Sequence, residues 1–256
     1  MSVRKLAGRG FSGMTLLGTA LALLITAAGA AAAEVPEKDR LAGPAGYLEI
    51  TFLGHASLML SSGDAVVHVD PYGKLADYAA LPKADVVLIT HEHQDHLDPA
   101  ALAKIRKEAT RVVGSAAVAA QVAGATALEN GARLALGSMV VEAVPAYNIK
   151  HERSPGVPFH PKGRGNGYVV TIAGLRVYIA GDTENIPEMK KLGGVDVAFL
   201  PMNLPYTMTP EMVADAAQMI NPKILYPYHF GDTDTAKLVT LLKDRPDIEV
   251  RIRRMP

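Results

Sequence analysis

Six consecutive residues, His91-Glu92-His93-Gln94-Asp95-His96, place four metal-ligand side chains in one short loop. Neutral imidazole and carboxylate are the donors that borderline divalent metals such as zinc select. With 8 histidines in 256 residues, a chance H-x-H-x-D-H is roughly a 4-in-10,000 event. Polar loops rarely concentrate histidine in this way, so the stretch reads as a metal site rather than as a solvated turn.

The context of the loop agrees. Val86-Val87-Leu88-Ile89-Thr90 is a continuous apolar, β-branched run, the pattern of a strand buried on both faces. Asp98 is placed to cap a helix over Ala100–Lys107, with Pro99 at its first position. The ligands therefore fall in the turn between a buried strand and a helix, where open α/β sheets place their sites. Three further apolar runs each deliver one ligand-type residue at the carboxyl end. Val66–Val69 leads into Asp70, Arg176–Ala180 into Gly181-Asp182, and Lys223–Tyr228 into His229. Any one of them would pass as a turn residue. Together they supply about the number of donors that a two-metal site needs.

Asp70, the His91–His96 loop, Asp182 and His229 resemble, in order and broadly in spacing, the metal motifs of the metallo-β-lactamase superfamily. The resemblance runs from about Tyr47 to the C-terminus. The opening Ile50-Thr51-Phe52-Leu53-Gly54-His55-Ala56-Ser57 is similar to the subgroup of ascorbate-6-phosphate lactonase and N-acylphosphatidylethanolamine phospholipase D. The resemblance implies an α/β fold, a four-layer αββα sandwich with the metals at one edge of its sheets. It implies that His91 and His93 hold one metal, that Asp95, His96 and His229 hold the other, and that Asp182 bridges them. Zinc, as two ions, is the expected cofactor, with Mn2+ or Fe2+ as alternatives. Asp95 would also orient the attacking hydroxide, and His55 would line the site. Asp70 is read as the carboxylate that fixes a ligand histidine's tautomer, as such groups commonly do.

The third family motif is broken. A histidine usually follows the strand that ends near residue 146, whereas this chain reads Ala146-Tyr147-Asn148. His151, His160 and Asn148 itself all remain open for that place. His160 is preferred, because proline at 161 restricts the backbone before it and an amide is a weak zinc donor. His151 lies among Lys150, Glu152 and Arg153, a setting typical of solvent. Gly163-Arg164-Gly165-Asn166-Gly167 precedes a strand over Tyr168–Ile172 and opens no helix, so it reads as a turn and not as a phosphate loop. Lys162 and Arg164 beside it are candidate anion contacts. His68, inside a strand, reads as structural. Tyr206, Tyr226 and Tyr228 are pocket or packing residues.

The length and a hydrophobic content of 49% suit one globular domain. Strand-type runs crowd residues 47–70, and others lie around 133–146 and 168–180. Helices are expected near Ala100–Lys107, Ser115–Val122, Ile186–Leu192, Thr209–Ile220 and Thr235–Leu242. Residues 1–33 read as a signal peptide, from Arg4, Lys5 and Arg9, an uncharged run Phe11–Ala33 and the small residues Ala31-Ala32-Ala33. An uncleaved anchor is the alternative, since such a run could span a bilayer. Residues 34–46 then form an N-terminal extension and 47–256 the hydrolase domain. The expected location is periplasmic or secreted, with no stable membrane anchor after cleavage. Cys 0 excludes thiolate ligands, thiol nucleophiles and disulfides. Without a basic tract or tryptophan, nucleic acid is excluded as the main ligand. The expectation is an exported zinc hydrolase of a small molecule, in which metal-bound hydroxide attacks a lactone or ester-type carbonyl. A phosphodiesterase and a non-catalytic metal-binding protein are the alternatives.

Overall fold

The computed structural model describes residues 35–255, together with residues 1, 2 and 8. The expected signal segment over 1–33 lies outside the described residues, save positions 1, 2 and 8.

The first sheet begins as an antiparallel meander of β1 (Glu37–Gly43), β2 (Gly46–Gly54), β3 (Ser57–Ser62) and β4 (Ala65–Val69). It continues in parallel through β5 (Val86–Leu88), β6 (Arg111–Gly114) and β7 (Thr126–Ala127). The stretch 34–46, read from sequence as an extension ahead of the domain, supplies the edge strand β1. Then follow β8 (Arg133–Leu136), β9 (Met139–Ala146), a small hairpin of β10 (Glu152–Ser154) and β11 (Val157–Pro158), β12 (Gly165–Ile172) and β13 (Leu175–Ile179). With β14 (Val197–Pro201), β15 (Ile224–Tyr228) and β16 (Glu249–Val250) they complete the strands among the described residues. The second sheet has the order β16-β15-β14-β13-β12-β9-β8, antiparallel at the β8 end and parallel at the β16 end.

Side chains two apart on a strand face the same way, and both faces of these strands are apolar. Val86 and Leu88 join Leu48, Ile50, Phe52 and the second sheet's Tyr168, Val170, Val177 and Phe199 in the core between the sheets. Val87 and Ile89 turn outward onto α1 (Pro99–Ile105) and α2 (Ala116–Ala119), through Leu102, Ile105 and Val118. Val169, Tyr178, Ala198 and Leu200 of the second sheet likewise turn out onto α3 (Pro210–Ile220) and α4 (Thr235–Leu241). Those layers make the α/β sandwich. Each fully buried Leu, Ile, Val or Phe contributes about 1.5–3 kcal/mol, so the continuous apolar runs fix which strands are central.

Asp98 accepts from the backbone N–H of Ala100 and Ala101 with Pro99 inside the first turn of α1, and Ser115, Thr209 and Asp234 cap the other helices. Two sequence expectations change. The helix expected over Ile186–Leu192 is a 3-10 turn at Pro187–Lys191, because the run is short and Gly193-Gly194 stops it. Gly165–Gly167, expected in a turn, begin β12. A Cβ on Gly167 would approach the Ala180 carbonyl oxygen to 2.8 Å, so glycine there permits close packing.

Candidate metal centre

The sheets meet at an edge where the carboxyl ends of β4, β5, β13 and β15 lie together. Asp70 follows β4, Thr90 and His91 follow β5, Asp182 follows β13, and His229 follows β15. His55 occupies the turn between β2 and β3, and His229 N–H donates to its carbonyl at 2.9 Å. His55, Asp70 and His229 all have positive φ, at 53°, 42° and 47°. For non-glycine residues this backbone costs energy and is commonest at functional sites.

The donor atoms converge in overlapping groups. His91, His93 and His160 form one, and His55, Asp95, His96 and His229 form another, each with its donor atoms within 4.8 Å of one another. Asp182 joins them. Its Oδ2 lies 3.3 Å from His160 Nε2, 3.5 Å from His229 Nε2 and 4.0 Å from His91 Nε2, and its Oδ1 lies 3.5 Å from His96 Nε2. Zinc–nitrogen bonds of about 2.0 Å in a tetrahedron put ligand nitrogens roughly 3.3 Å apart. His91 Nε2 and His93 Nδ1 are 3.0 Å apart, which suits donors that face one ion.

Burial sharpens the test. His96 Nε2, His229 Nε2 and Asp182 Oδ1 are buried and make no hydrogen bond. Orphaned polar atoms of this kind each cost about 1–3 kcal/mol, and they point into the same small space. A cation there satisfies all of them at once, so the residues fit a metal centre.

The orientation of each imidazole is fixed from behind. Asp70 Oδ2 lies 2.8 Å from His96 Nδ1, while Thr90 donates to Asp70 through its N–H and its hydroxyl, both at 2.7 Å. His96 Nδ1–H therefore donates to the Asp70 carboxylate, and Nε2 faces the centre. Asn148 Oδ1 accepts from His160 N–H at 2.8 Å and lies 2.7 Å from His160 Nδ1, which turns that Nε2 inward in the same way. Asn203 lies 2.9 Å from His229 Nδ1, and its own Oδ1 has no partner. Flipped end for end, that amide accepts the Nδ1 proton and leaves His229 Nε2 bare.

Charge follows geometry. Burial pushes His91 and His93 below the usual histidine value, and takes His229 to about 4. The neutral form is the one that binds metal. For His96 burial opposes the charge, yet Asp182 and Asp70 outweigh it and lift the ring to about 9. Burial also opposes the charge on Asp182, but His229, His96 and His160 hold it well below the usual carboxylate range. Asp95 is ionised for a similar reason, with His55 Nε2 at 3.0 Å from its Oδ2 outweighing the cost of burial.

Asp70, His55, His91, His93, Asp95, His96, His160, Asp182 and His229, the site residues expected from sequence, come together here. His151 does not. Its Nδ1 lies 2.8 Å from Glu184 Oε1, away from the cluster. His68 is buried in β4 and bonds the Pro82 carbonyl. Tyr226 and Tyr228 are core residues, and the Tyr228 hydroxyl accepts the Gly181 N–H beside Asp182. Sequence reading missed Glu184, Asn203 and the pairing role of Thr90. Glu184 accepts the N–H groups of Ile149, Lys150 and His151 at 2.7–2.8 Å, and Asn148 Nδ2 at 3.2 Å. Nothing local marks Glu184 in the sequence, since its partners lie 33–36 residues earlier.

A cavity of about 400 Å³ opens over the cluster, lined by His91, His93, His160 and Asp182 on the metal side. That size suits a small molecule.

Comparison with known proteins gives the same picture. A β-lactamase superfamily domain model matches residues 49–229. A UPF0173 metal-dependent hydrolase from Symbiobacterium thermophilum is 32% identical over 223 residues, which cover 80% of this chain and 92% of the relative. The crystal structure of a candidate metal-dependent hydrolase from Parabacteroides distasonis superposes with a TM-score of 0.83 at 48% identity, covering 86% of this chain and 100% of that one. Igni18, a metallo hydrolase from Ignicoccus hospitalis, shares the fold, with a TM-score of 0.67 at 23% identity over 82% of this chain and 96% of its own.

Proposed function

The chain belongs to the β-lactamase superfamily and is a metal-dependent hydrolase; from that premise we propose that it is a zinc enzyme cleaving a lactone or ester of a small molecule. The observation that carries the reading is the convergence of His96 Nε2, His229 Nε2 and Asp182 Oδ1, buried without hydrogen bonds, with Asp182 itself lining the cavity.

We assign His91, His93 and His160 to one ion, His96, His229 and Asp95 to a second, and Asp182 to both. Mn2+ and Fe2+ suit the same donors, and zinc is preferred for an all-imidazole and carboxylate set without redox demand. When bound, such ions supply Lewis acidity and bring the pKa of water toward about 7. The protein's own groups do the rest. Asp70 and Asn148 keep the Nδ1 protons of His96 and His160 turned away from the centre. Asp95 is ionised and partly exposed, and accepts the proton of the attacking water. His55, against Asp95 Oδ2, passes a proton to the departing alkoxide. One water is consumed, the acyl C–O bond breaks, and acid and alcohol result.

The test is a screen of zinc-, manganese- and iron-loaded protein against lactones, phosphodiesters and β-lactams. Turnover confined to lactones and esters supports the assignment, and turnover confined to phosphodiesters contradicts it. Export forms part of the same proposal, supported by the charged start and uncharged run within residues 1–33. Intact mass of periplasmic protein should begin near Glu34, and a full-length membrane-bound species would sink the idea.

A further inference from the structure

The cavity's charges do not balance once each is traced to its partner. Its charged lining, imidazoles aside, consists of Glu92, Arg153, Arg164 and Asp182. Asp182 is turned to the imidazoles, at 3.3–4.0 Å. Arg164, a candidate anion contact from sequence, is paired with Glu92. Lys162, the other candidate, is spent on Glu188 at 2.7 Å and on the Tyr147 hydroxyl at 3.2 Å. Arg153 is left. No carboxylate among the described residues pairs with it, and its guanidinium lies 5.7 Å from the centroid of the Phe159 ring.

Arg153 is itself exposed, but it stands against a shaped wall. It stands in β10 of the small hairpin, and the same hairpin carries Val157, Pro158 and Phe159 into the cavity wall beside His160 and Pro161. Val157 leaves 48% of its surface exposed there, an apolar face with nothing yet to cover it. A guanidinium lying over a ring is partly ordered before it binds, and its planar donors match a carboxylate or a phosphate. Metal donors, an apolar wall and one uncompensated cation thus share one cavity.

We propose that Arg153 is a specificity residue that recognises an anionic group, carboxylate or phosphate, carried by the substrate on an apolar body that packs on Val157 and Phe159. This rests on reading the cavity as the substrate site of the hydrolase. It adds to that reading which molecules enter: a lactone or ester bearing a negative charge outside the scissile bond.

Binding tests it without turnover. Phenylacetate, phenyl phosphate and neutral benzyl alcohol are titrated calorimetrically into zinc-loaded wild type, Arg153→Gln and Arg153→Lys. Charge-assisted pairs of this kind suggest that wild type binds the anions about tenfold more tightly than the alcohol. Arg153→Gln should erase that gap and leave benzyl alcohol unchanged, and Arg153→Lys should restore part of it. The better of the two anions identifies a carboxylate or a phosphate as the natural group. A gap that survives in Arg153→Gln would place the anion on the metal and overturn the proposal, as would the absence of any gap in wild type. Wild type that shows the gap yet hydrolyses nothing would sink the hydrolase reading and leave the anion site standing.

Discussion

His96 and His160 approach different oxygens of the same carboxylate, Asp182, but the groups behind them differ in kind. Behind His96 stands Asp70, at the end of β4 and bonded to Thr90 at the end of the neighbouring parallel strand β5. That support is part of the sheet, fully buried, and inherits the rigidity of the ladder. Behind His160 stands Asn148, held in turn by Glu184 and the Tyr206 carbonyl in a region of loops. Burial opposes the charge on Glu184, but the donors His151, Ile149, Asn148 and Lys150 win and hold it below the usual carboxylate range. One half of the centre is thus set by the fold, and the other by a single buried carboxylate gathering a loop. Rigid placement of supporting groups governs metal affinity, so the halves should respond separately to damage behind the ligands and together to damage between them.

Asp182→Ala should have the largest effect, because it removes the one group shared by both halves. We expect kcat/KM to fall on the order of 1000-fold, about 4 kcal/mol, with metal lost from both halves. Elemental analysis showing one ion fully retained would break the idea of a shared carboxylate. Next comes Asp70→Asn, which leaves the His96 Nδ1 proton poorly matched. Competitive chelator titration should show a loss of roughly 10–100-fold at the His96 half only. Glu184→Gln should do the reverse, at about tenfold, and hydrogen exchange at the amides of residues 149–151 should quicken with it. Equal losses at both halves in either variant would erase the distinction drawn here.

The smallest effect is expected far from the centre. Asp39 ties β1 to Arg253, Arg251 and Tyr226. Burial opposes its charge, yet Tyr226 and the two arginines keep its pKa below the usual carboxylate value. A depressed carboxylate pKa stabilises the fold above the unfolded value and ceases to do so as pH falls through the folded one. Asp39→Asn should therefore lower Tm at neutral pH and by progressively less in acid, with both metal affinities unchanged. A metal loss in this variant would show that the halves are not insulated from the rest of the sheets.

The same contrast explains what the sequence could tell. Asp70, His91, Asp182 and His229 each follow an apolar strand, so the sequence marks them as strand-end residues, and the family resemblance implies that these ends share one sheet edge. The helix start at Asp98 was equally legible, because capping is local chemistry. His160 lies 12 residues after Asn148, its partner, and no periodic pattern spans that loop; only the restraint of Pro161 and the polarity around His151 favoured it. Glu184 was invisible, since its role exists only once the loop has folded onto it. Gly165 and Gly167 misled for a related reason, as their use is the close approach of other chain segments at the start of β12.

The central claim is that two half-sites share Asp182 and that His160 completes the less rigid one. Stepwise zinc titration against a competing chelator, on wild type, His160→Ala and His151→Ala, tests it most directly. The account predicts two ions in wild type and in His151→Ala. In His160→Ala one ion should weaken on the order of 10-fold or more, while the other binds as before. Identical titrations for wild type and His160→Ala would contradict it.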